Sequence, residues 1–473
     1  MVSLLPSGRV AWGREVCERG EAMKERRIDL LNGNILTSLT GLAVPIMATA
    51  LVQTAYNLTD MAWIGMVGSD SVAAVGAAGM YTWLSTGFVG LAKMGGQVQA
   101  AQAIGRGRPA QAERYGRGAL QMALGLAVFY GIAANALAGP LIGFFHLNSA
   151  YTVDAAQGYL RIACGLIVFA YLGQTLTGLY TAAGNSRTPF IANCIGLFLN
   201  LFFDPVLILG LGPMPALGVR GAAIATVSAQ ATVFLVLVLA ARRDKLLSGQ
   251  LRIWRPTPLN YFGRIARIGL PAALQDMIYC GISMILTRFV TGWGDAAVAV
   301  QRVGGQIESL SWMTAQGFGT AINAFTGQNF GAGNFERVRK GYRTASLIML
   351  VWGLFTTCLL IFGAAPIFSI FIHEAEVIPS GASYLRIIGV CEMFMCVELM
   401  TVGAMSGLGR TLEASVITIS LTAMRIPLAM FLGGTPLGLD GVWWALSISS
   451  ISKGILFYIV YNRILGKMRG KSL

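Results

Sequence analysis

The chain has 473 residues, of which 55% are hydrophobic and 12% charged, and its mean hydropathy is +0.64. Soluble domains carry about 25% charged residues, so this composition excludes an ordinary soluble protein and indicates an integral membrane protein. The net charge of +14 could suggest a nucleic-acid partner. The basic residues occupy alternate loops, however, which indicates membrane topology and contact with anionic lipid headgroups, and no nucleic acid.

Twelve apolar stretches are each long enough to cross a bilayer, which takes about 20 residues of helix. Their centres lie near residues 48, 82, 130, 172, 199, 230, 278, 308, 357, 396, 423 and 450. Glycine and proline occur inside the stretches and strict alternation is missing, which favours helices over barrel strands. The predicted fold class is an all-α integral membrane protein with 12 transmembrane helices.

The second half of the chain repeats the first about 226 residues later. The corresponding pairs, in the same order, are Pro45 and Pro271, Gly68 and Gly294, Gln102 and Gln328, Pro140 and Pro366, Tyr159 and Tyr384, Gly184 and Gly409, and Gly218 and Gly438. Six spans fall in each half, so both halves share one orientation and are related by an axis along the membrane normal. This duplication predicts two pseudo-symmetric six-helix bundles around a central cleft.

The chain divides into five predicted segments. They are a cytoplasmic N-terminal tail at 1–34, an N-lobe at 35–241, a basic cytoplasmic linker at 242–262, a C-lobe at 263–466 and a C-terminal tail at 467–473. We expect Trp254 and Tyr261, near the end of the linker, to lie at the membrane interface. Arginines are found in the linker and in the loops after spans 2, 4, 8 and 10, whereas Arg220 is the one clear cation of the opposite loops. The positive-inside rule therefore predicts a multi-pass plasma-membrane protein with both termini in the cytoplasm. We expect it to be a monomer.

Two acids lie deep in the first half, where an unpaired charge is costly. They are Asp60 in span 1 and Asp204 in span 5, and Asn200 lies one helical turn before Asp204 on the same face. At 1.5 Å per residue, Asp204 lies about 24 Å and Asp60 about 30 Å from the cytoplasmic face, and Thr226 of span 6 lies about 12 Å below the outer face. We predict that these four residues converge on a site for sodium or a proton. The alternative is that Asp60 marks the outer interface and Asp204 pairs with a buried arginine.

The second half does not copy these acids. Leu286 stands opposite Asp60, and Arg425-Ile426-Pro427 stands opposite the FDP triplet at 203–205. The acids inside the C-lobe spans are Asp276, Glu308, Glu392 and Glu398, and the cations available to neutralise them are Arg288, Arg302 and Arg425. Structural pairing is the expected role of each acid. Glu398 is also a candidate cleft residue because it lies one turn before a glycine-rich stretch.

Several motifs resemble those of one transporter family. They are YNLTD in span 1, AAGNSRTP after span 4, GVRGAAIAT at span 6, GQNFGAGN after span 8 and MKERRIDLLNGNILTSL from Met23. Together they resemble the bacterial multidrug and toxic compound extrusion (MATE) family over about residues 23–466. The resemblance implies a V-shaped cleft and export of cationic or amphipathic organic compounds, driven by inward flow of sodium or protons without a cofactor. The family's aspartate in span 1 and Asn-x-x-x-Asp in span 5 match Asp60, Asn200 and Asp204.

The residues assigned to a possible substrate cleft are Gln53, Tyr56, Asn57, Tyr279 and Glu398. A subset of the family also uses an acid in span 7, at the repeat partner of Gln53. That partner is Tyr279 here, so the chain resembles the group that relies on its N-lobe. The first glutamine motif, AQAIGRG, has Ala101 where glycine is typical of the family, and we place it in a cytoplasmic loop.

The expected function is a secondary antiporter that works by alternating access. The alternative is a flippase for lipid-linked oligosaccharide from the same broader superfamily, which would need a cleft rich in arginine and lysine. An enzyme is disfavoured, because His146 and His373 are the two histidines and both fall at predicted outer loops, away from any deep nucleophile–base pair. Seven cysteines without a C-x-x-C pair favour packing over metal binding.

Overall fold

The computed structural model describes residues 27–469 except 146, 148, 212–214, 245, 372–373 and 375. The described residues are organised almost wholly as helices. Most of the predicted N-terminal tail, the last four residues and both histidines lie outside the described residues.

The helices of the first half are α1 (Ile35–Val67), α2 (Ser69–Gly105), α3 (Pro109–Ala136), α4 (Ala138–Gly143), α5 (Ala150–Gly165), α6 (Val168–Ala182), α7 (Arg187–Ile208) and α8 (Gly218–Arg242). Those of the second half are α9 (Leu259–Val290), α10 (Asp295–Gly331), α11 (Phe335–Phe362), α12 (Ala364–Ser369), α13 (Ile378–Gly389), α14 (Glu392–Gly407), α15 (Thr411–Ala423), α16 (Arg425–Gly433) and α17 (Leu439–Arg469). A short 3-10 turn, Thr291–Trp293, joins α9 to α10.

The predicted membrane spans coincide with these helices. In the described part of the chain, nine helices are long and apolar enough to cross a membrane, with α15 and α16 together forming one of them. Two bent pairs, α5–α6 at 45° and α13–α14 at 49°, raise the number to eleven. The 37-residue α10 is the remaining long helix. Each predicted span centre falls within one of these units, and the predicted all-α membrane fold is confirmed.

The two halves share their irregularities as well as their helices. Pro45 interrupts α1 and Pro271 interrupts α9 at equivalent positions. A proline inside a helix removes one backbone hydrogen bond and bends the axis. The breaks between α5 and α6 and between α13 and α14 are also equivalent, because they follow Gly165 and Gly389. The two halves therefore share the bends of their helices as well as the hydropathy pattern.

The lobes meet through reciprocal contacts of two glutamines. Gln102 donates a hydrogen bond of 3.0 Å from Nε2 to the carbonyl oxygen of Gly407, across the lobe interface. Its repeat partner Gln328 donates one of 2.7 Å to the carbonyl oxygen of Ala182. Both glutamines are buried in the last turns of α2 and α10, so our placement of the AQAIGRG motif in a loop is wrong. The motif forms part of the contact between lobes.

Glycine is required where these helix ends touch. A Cβ atom at Gly105 would lie 1.9 Å from the carbonyl oxygen of Gln328, and one at Gly331 would lie 2.2 Å from that of Gln102. This closed contact is at the end of the molecule that carries the arginine-rich loops, called the basic end below. Toward the other end, a Cβ atom at Gly76 of α2 or Gly281 of α9 would meet no atom within 4 Å. The closest approach of the two lobes that these glycines show is therefore at the basic end.

The connection between the halves is bound to the first half. The side chain of Gln121 on α3 donates hydrogen bonds of 2.6 and 2.8 Å to the carbonyl oxygens of Ile253 and Arg255. Trp254 is 98% exposed, whereas Tyr261 lies within α9 and is buried against Tyr115 with ring centroids 4.7 Å apart. Helix α9 begins at Leu259, so the last residues of the predicted linker are already helical.

Residues 27–34, which we assign to the N-terminal tail, touch both halves at the basic end. The backbone N–H of Ile28 donates to the carbonyl oxygen of Gly184 at 3.0 Å. The carbonyl oxygen of Leu30 accepts from Asn329 Nδ2 at 3.0 Å and from Arg337 Nε at 3.1 Å. This segment, called the strap below, therefore ties the α6–α7 loop of the first half to α10 and α11 of the second.

Candidate cation site and central cleft

The predicted cation-binding residues lie on three neighbouring helices of the N-lobe. Asn200 and Asp204 on α7 are fully buried, and Asn200 Nδ2 donates a hydrogen bond of 3.0 Å to Asp204 Oδ1. Thr226 Oγ1 on α8 donates one of 3.3 Å to Asp60 Oδ2 on α1. The depth argument from sequence and the geometry agree that these four side chains meet.

Asp60 links the two hydrogen-bonded pairs. Its carboxyl group accepts from Thr226 and has Asp204 and Asn200 as close polar neighbours. In the described residues, neither carboxyl group forms an ion pair with a lysine or arginine. Two carboxylates at this range repel strongly in a low-dielectric interior, so a close pair needs a proton or a cation between them.

The cluster holds several polar atoms that lack a protein partner. They are Asp60 Oδ1, Asn200 Oδ1, Asp204 Oδ2 and Tyr56 Oη, each buried and without a hydrogen-bond partner among the described residues. Carboxylate, amide and hydroxyl oxygens are the ligands that hard cations prefer. The set therefore has the chemistry to hold a small cation or to share a proton.

Local sequence explains why α7 presents these groups. Asn200 and Asp204 are one turn apart, so their side chains stack on one face and hydrogen-bond to each other. Pro205 follows directly inside the helix. Its ring removes a backbone donor and frees the carbonyl of Leu201, which loosens the helix next to the carboxyl group. The buried acid thus lies at a point where α7 is intrinsically weak.

Tyr159 on α5 is a member of the cluster that our sequence reasoning missed. Its side chain lies close to Thr226, and Asp60 and Asp204 are its charged neighbours. The sequence marked Tyr159 only as a repeat anchor, paired with Tyr384. That recurrence was the available signal, because Tyr384 also lies beside buried charges in the C-lobe.

The predicted cleft residues separate into three groups. Gln53 and Asn57 are exposed and one turn apart on α1, and Tyr279 on α9 is 45% exposed. Tyr56 is half-buried and has Asp60 and Thr226 as neighbours, so it belongs with the cation cluster. Glu398 is 3% exposed. Its carboxylate is 2.8 Å from Lys453 Nζ, which matches the structural pairing that we expect for the C-lobe acids.

Two lysines were also missed, Lys93, which is half-buried, and Lys453, which is buried. Lys93 on α2 and Asp276 on α9 are charged neighbours across the lobe interface. Lys453 on α17 neutralises Glu398 inside the C-lobe. Both lysines interrupt apolar helices, so the cost of an ionisable residue in a membrane span was a usable signal for each.

A family model described as MatE matches the chain twice, at residues 45–206 and at residues 271–431. The two matches start 226 residues apart (271 − 45), which is the offset of the internal repeat. Each match lies within one half of the transmembrane region, so the duplication holds at the level of the family model.

Relatives along the whole chain have transporter names. A probable multidrug resistance protein, NorM of Thermotoga maritima, is 28% identical over 421 residues, which is 86% of this chain and 88% of that protein. A protein of Shewanella oneidensis named FAD transporter is 24% identical and covers 93% of this chain and 97% of its own length.

Solved structures agree with these relatives. A MOP superfamily transporter from Pyrococcus furiosus has a TM-score of 0.86 at 25% identity, covering 94% of this chain and 99% of that one. A structure described as the outward-facing conformation of a multidrug resistance MATE family transporter has a TM-score of 0.84 at 24% identity, covering 94% and 98%. With the family model on both halves, the fold and the full-length relatives, this chain belongs to the MATE family of multi-pass membrane transporters.

Proposed function

We propose that this protein is a secondary antiporter that exports cationic or amphipathic organic compounds. Asp60, Asn200, Asp204 and Thr226 bind the driving ion, sodium or a proton, which flows inward as substrate flows outward. The observation that carries this proposal is that Asp60 and Asp204 each have a carboxyl oxygen without a hydrogen-bond partner, and neither acid has a lysine or arginine partner, among the described residues. Such a pair exchanges a small cation readily.

The position of the cluster supplies a route from ion binding to transport. Asp60 lies on α1, which packs against α7 in its own lobe and against α10 in the other. Neutralising two carboxyl groups changes how closely α1 and α7 can pack. A ligand shifts a conformational equilibrium only through different affinities for the two states. Because the site is shared between α1 at the lobe interface and α7 inside the lobe, movement of α1 would change the geometry of the site and so its affinity for the ion.

The side chains assigned to the cleft suit organic substrates in general and do not select one compound. Gln53 and Asn57 on α1 offer amide groups, and Tyr279 on α9 offers an aromatic ring with the Arg425 guanidinium 5.9 Å from its centroid. Aromatic rings and amides accept flat organic molecules of several kinds. The relatives' names include both multidrug resistance proteins and an FAD transporter. Substrate tests therefore need an organic cation and a flavin nucleotide.

Orientation follows from charge. The arginine-rich loops at the basic end face the cytoplasm under the positive-inside rule, which puts both termini there. With that orientation the closest approach of the two lobes is on the cytoplasmic side, as expected of a state that has just released substrate. We expect the monomer to be the working unit, because each monomer has both lobes and a complete cluster.

A lipid-linked oligosaccharide flippase would need unpaired cations in the cleft to hold a pyrophosphate. Lys93 at the lobe interface has Asp276 as a charged neighbour, and Arg425 has Glu308 as well as two serine hydroxyls, so each cation already has an acid nearby. This arrangement favours the antiporter over the flippase.

The decisive experiment uses proteoliposomes that contain the purified full-length chain. A fluorescent organic cation and a flavin nucleotide are tested separately, with a sodium gradient or a proton gradient imposed alone. Antiport predicts that one ion gradient drives substrate movement in the opposite direction and that dissipating it stops the movement. Substrate movement that ignores both gradients would overturn the proposal.

A further inference from the structure

The C-lobe contains a second buried cluster of charged groups, which does not copy the N-lobe site. Its members come from five helices and are Glu308 on α10, Tyr384 on α13, Glu392 and Glu398 on α14, Arg425 on α16 and Lys453 on α17. Glu308 is half-buried and the others are buried. The cluster lies beside the break between α13 and α14, where the axis bends by 49°.

The two cations of the cluster have defined partners. Lys453 Nζ is 2.8 Å from Glu398 Oε1. Arg425 donates hydrogen bonds of 3.2 and 2.9 Å to Ser449 Oγ and Ser450 Oγ. Its charge acts on Glu308, which also accepts a bond of 3.5 Å from Tyr384 Oη. Lys453 therefore offsets Glu398, and Arg425 offsets Glu308.

Glu392 is left without a counter-charge. It is 0% exposed, and no hydrogen-bond donor among the described residues reaches either of its carboxyl oxygens. The charged group that faces it is Glu308, which has the same sign. Ser311 lies close by, but its hydroxyl is engaged with Thr356 at 3.4 Å. The thiols of Cys391 and Cys396 are its other polar neighbours.

Charge balance then requires one more positive charge. Three carboxyl groups and two cations would leave a net charge of −1 in the lobe interior if every group were ionised. An unpaired buried charge is strongly unfavourable and is avoided by protonation or by binding a cation. Sodium needs several oxygen ligands. Glu392 is surrounded by thiols, one occupied hydroxyl and apolar groups, whereas a proton needs no further ligand.

We propose that Glu392, in the C-lobe, is a second proton-binding site, which takes up the one proton that the charge balance of Glu308, Glu392 and Glu398 requires. Glu392 is the first residue of α14, where the helix dipole favours a negative charge. The Glu392 side chain can therefore be either protonated or ionised. A change between the two forms alters the charge next to the bend between α13 and α14. The site differs from the family's acid in span 7, because that position is Tyr279.

The test measures protonation directly and does not depend on transport. The full-length chain in lipid nanodiscs carries Asp60→Asn and Asp204→Asn, so that the N-lobe acids cannot contribute. Infrared spectra across a pH series then report the carbonyl stretch of protonated carboxylic acids, with its shift in deuterated water. Glu392→Gln and Glu308→Gln are compared with Glu413→Gln, which alters an exposed glutamate that pairs with Arg410 on the surface.

The parent protein is expected to show a protonated-carboxyl band at neutral pH. Glu392→Gln removes the titrating group, and Glu308→Gln balances the charges without a proton, so both lose that component while Glu413→Gln keeps it. Thermal melting gives a second readout. A proton held by the folded state and released on unfolding makes stability fall as pH rises, and this fall is smaller in both cluster variants.

A band that persists equally in Glu392→Gln and Glu308→Gln would overturn the proposal. If one of the two variants does not fold, the other decides the question, because both have the same expected result. Failure of this site leaves the proposed antiport untouched, since the infrared test uses a protein without the N-lobe acids.

Discussion

Thr226 on α8 donates a hydrogen bond of 3.3 Å to Asp60 on α1, a residue 166 positions earlier in the chain. This contact joins the first and last spans of the N-lobe at a buried carboxyl group. Because α1 also packs against α10 of the other lobe, the same helix belongs to the cation cluster and to the lobe interface. A cation or proton bound at Asp60, as we propose, would therefore act on a helix that both lobes share.

Replacing either N-lobe acid is expected to stop transport. Asp60→Asn or Asp204→Asn keeps the shape of the side chain but removes a charge, so efflux should fall by roughly tenfold or more, which corresponds to about 1.4 kcal/mol. Efflux of a fluorescent cation from everted vesicles measures this, at matched protein levels in the membrane. Asp154→Asn, which alters a surface pair with Arg220, is the control and should leave efflux unchanged. Normal efflux in both variants would rule out the N-lobe site.

Tyr159 is expected to tune ion affinity. Tyr159→Phe removes a hydroxyl beside Thr226 and the two carboxyl groups, and hydrogen bonds to charged groups contribute about 1.5–3 kcal/mol. The half-saturating concentration of the driving ion should rise by about tenfold with little change in maximal rate. Tyr171→Phe is the matched control, since that buried hydroxyl donates to the carbonyl oxygen of Ser85. An equal effect of both substitutions would point to general packing instead.

The lobe contact at the basic end should not tolerate a methyl group. Gly105→Ala or Gly331→Ala places a Cβ atom against a backbone carbonyl oxygen, and overpacking of this kind costs about 1–3 kcal/mol. Both variants should melt at lower temperature than the parent. Gly90→Ala in α2 has open space and should be neutral or slightly stabilising, because alanine favours helix. A stable Gly105→Ala protein would show that the lobes are further apart than described.

The strap should depend on Arg337. Its side chain donates to the carbonyl oxygens of Leu30 and Gly33, so Arg337→Ala removes two charge-assisted bonds between the strap and the second half. Limited proteolysis at the basic end should then cut near residue 30 several times faster, since hydrogen bonds to charged groups contribute about 1.5–3 kcal/mol. Arg343→Ala alters an exposed arginine of the same helix and serves as the control. Unchanged cleavage would mean that the contacts of Ile28 with Gly184 and of Leu30 with Asn329 are enough to hold the strap.

Removing one member of the buried Lys453–Glu398 pair should destabilise the protein more than removing both members. Lys453→Met leaves an uncompensated carboxylate in the lobe interior and should cost about 3–5 kcal/mol, seen as a lower melting temperature. The double variant Lys453→Leu and Glu398→Leu should recover most of that loss. The exposed pair of Lys340 and Glu336 is the contrast, because Lys340→Ala should change stability by about 1 kcal/mol or less. No recovery in the double variant would assign the loss to packing.

Much of the fold was predictable because it depends on properties that the chain carries locally. Apolar runs of bilayer length define the spans, and the equivalence of Pro45 with Pro271 defines the repeat. The cation cluster was predictable for a related reason. Acids such as Asp60 and Asp204 are so costly in a membrane span that their presence alone marks a site.

The contacts between helices were not predictable in the same way. Gln102 and the carbonyl oxygen of Gly407 are 305 residues apart, and no local pattern relates them, so the motif was placed in a loop. Tyr159 and Lys453 were likewise passed over, because their partners lie on other helices. Which side chains face each other depends on how each helix is rotated about its axis and how deep it lies in the membrane. Rotation and depth are determined by the close packing of small residues between helices.

By itself, the sequence determined the membrane class, the number and repeat of the spans, the family resemblance and the four residues of the N-lobe cluster, since these follow from hydropathy and from the cost of buried charge. The tertiary structure alone decided that the lobes close at the basic end, that Glu398 is neutralised by Lys453, and that Glu392 is left without a partner. Those outcomes depend on distances between distant parts of the chain, and a carboxyl group is matched or unmatched only once its neighbours are in place.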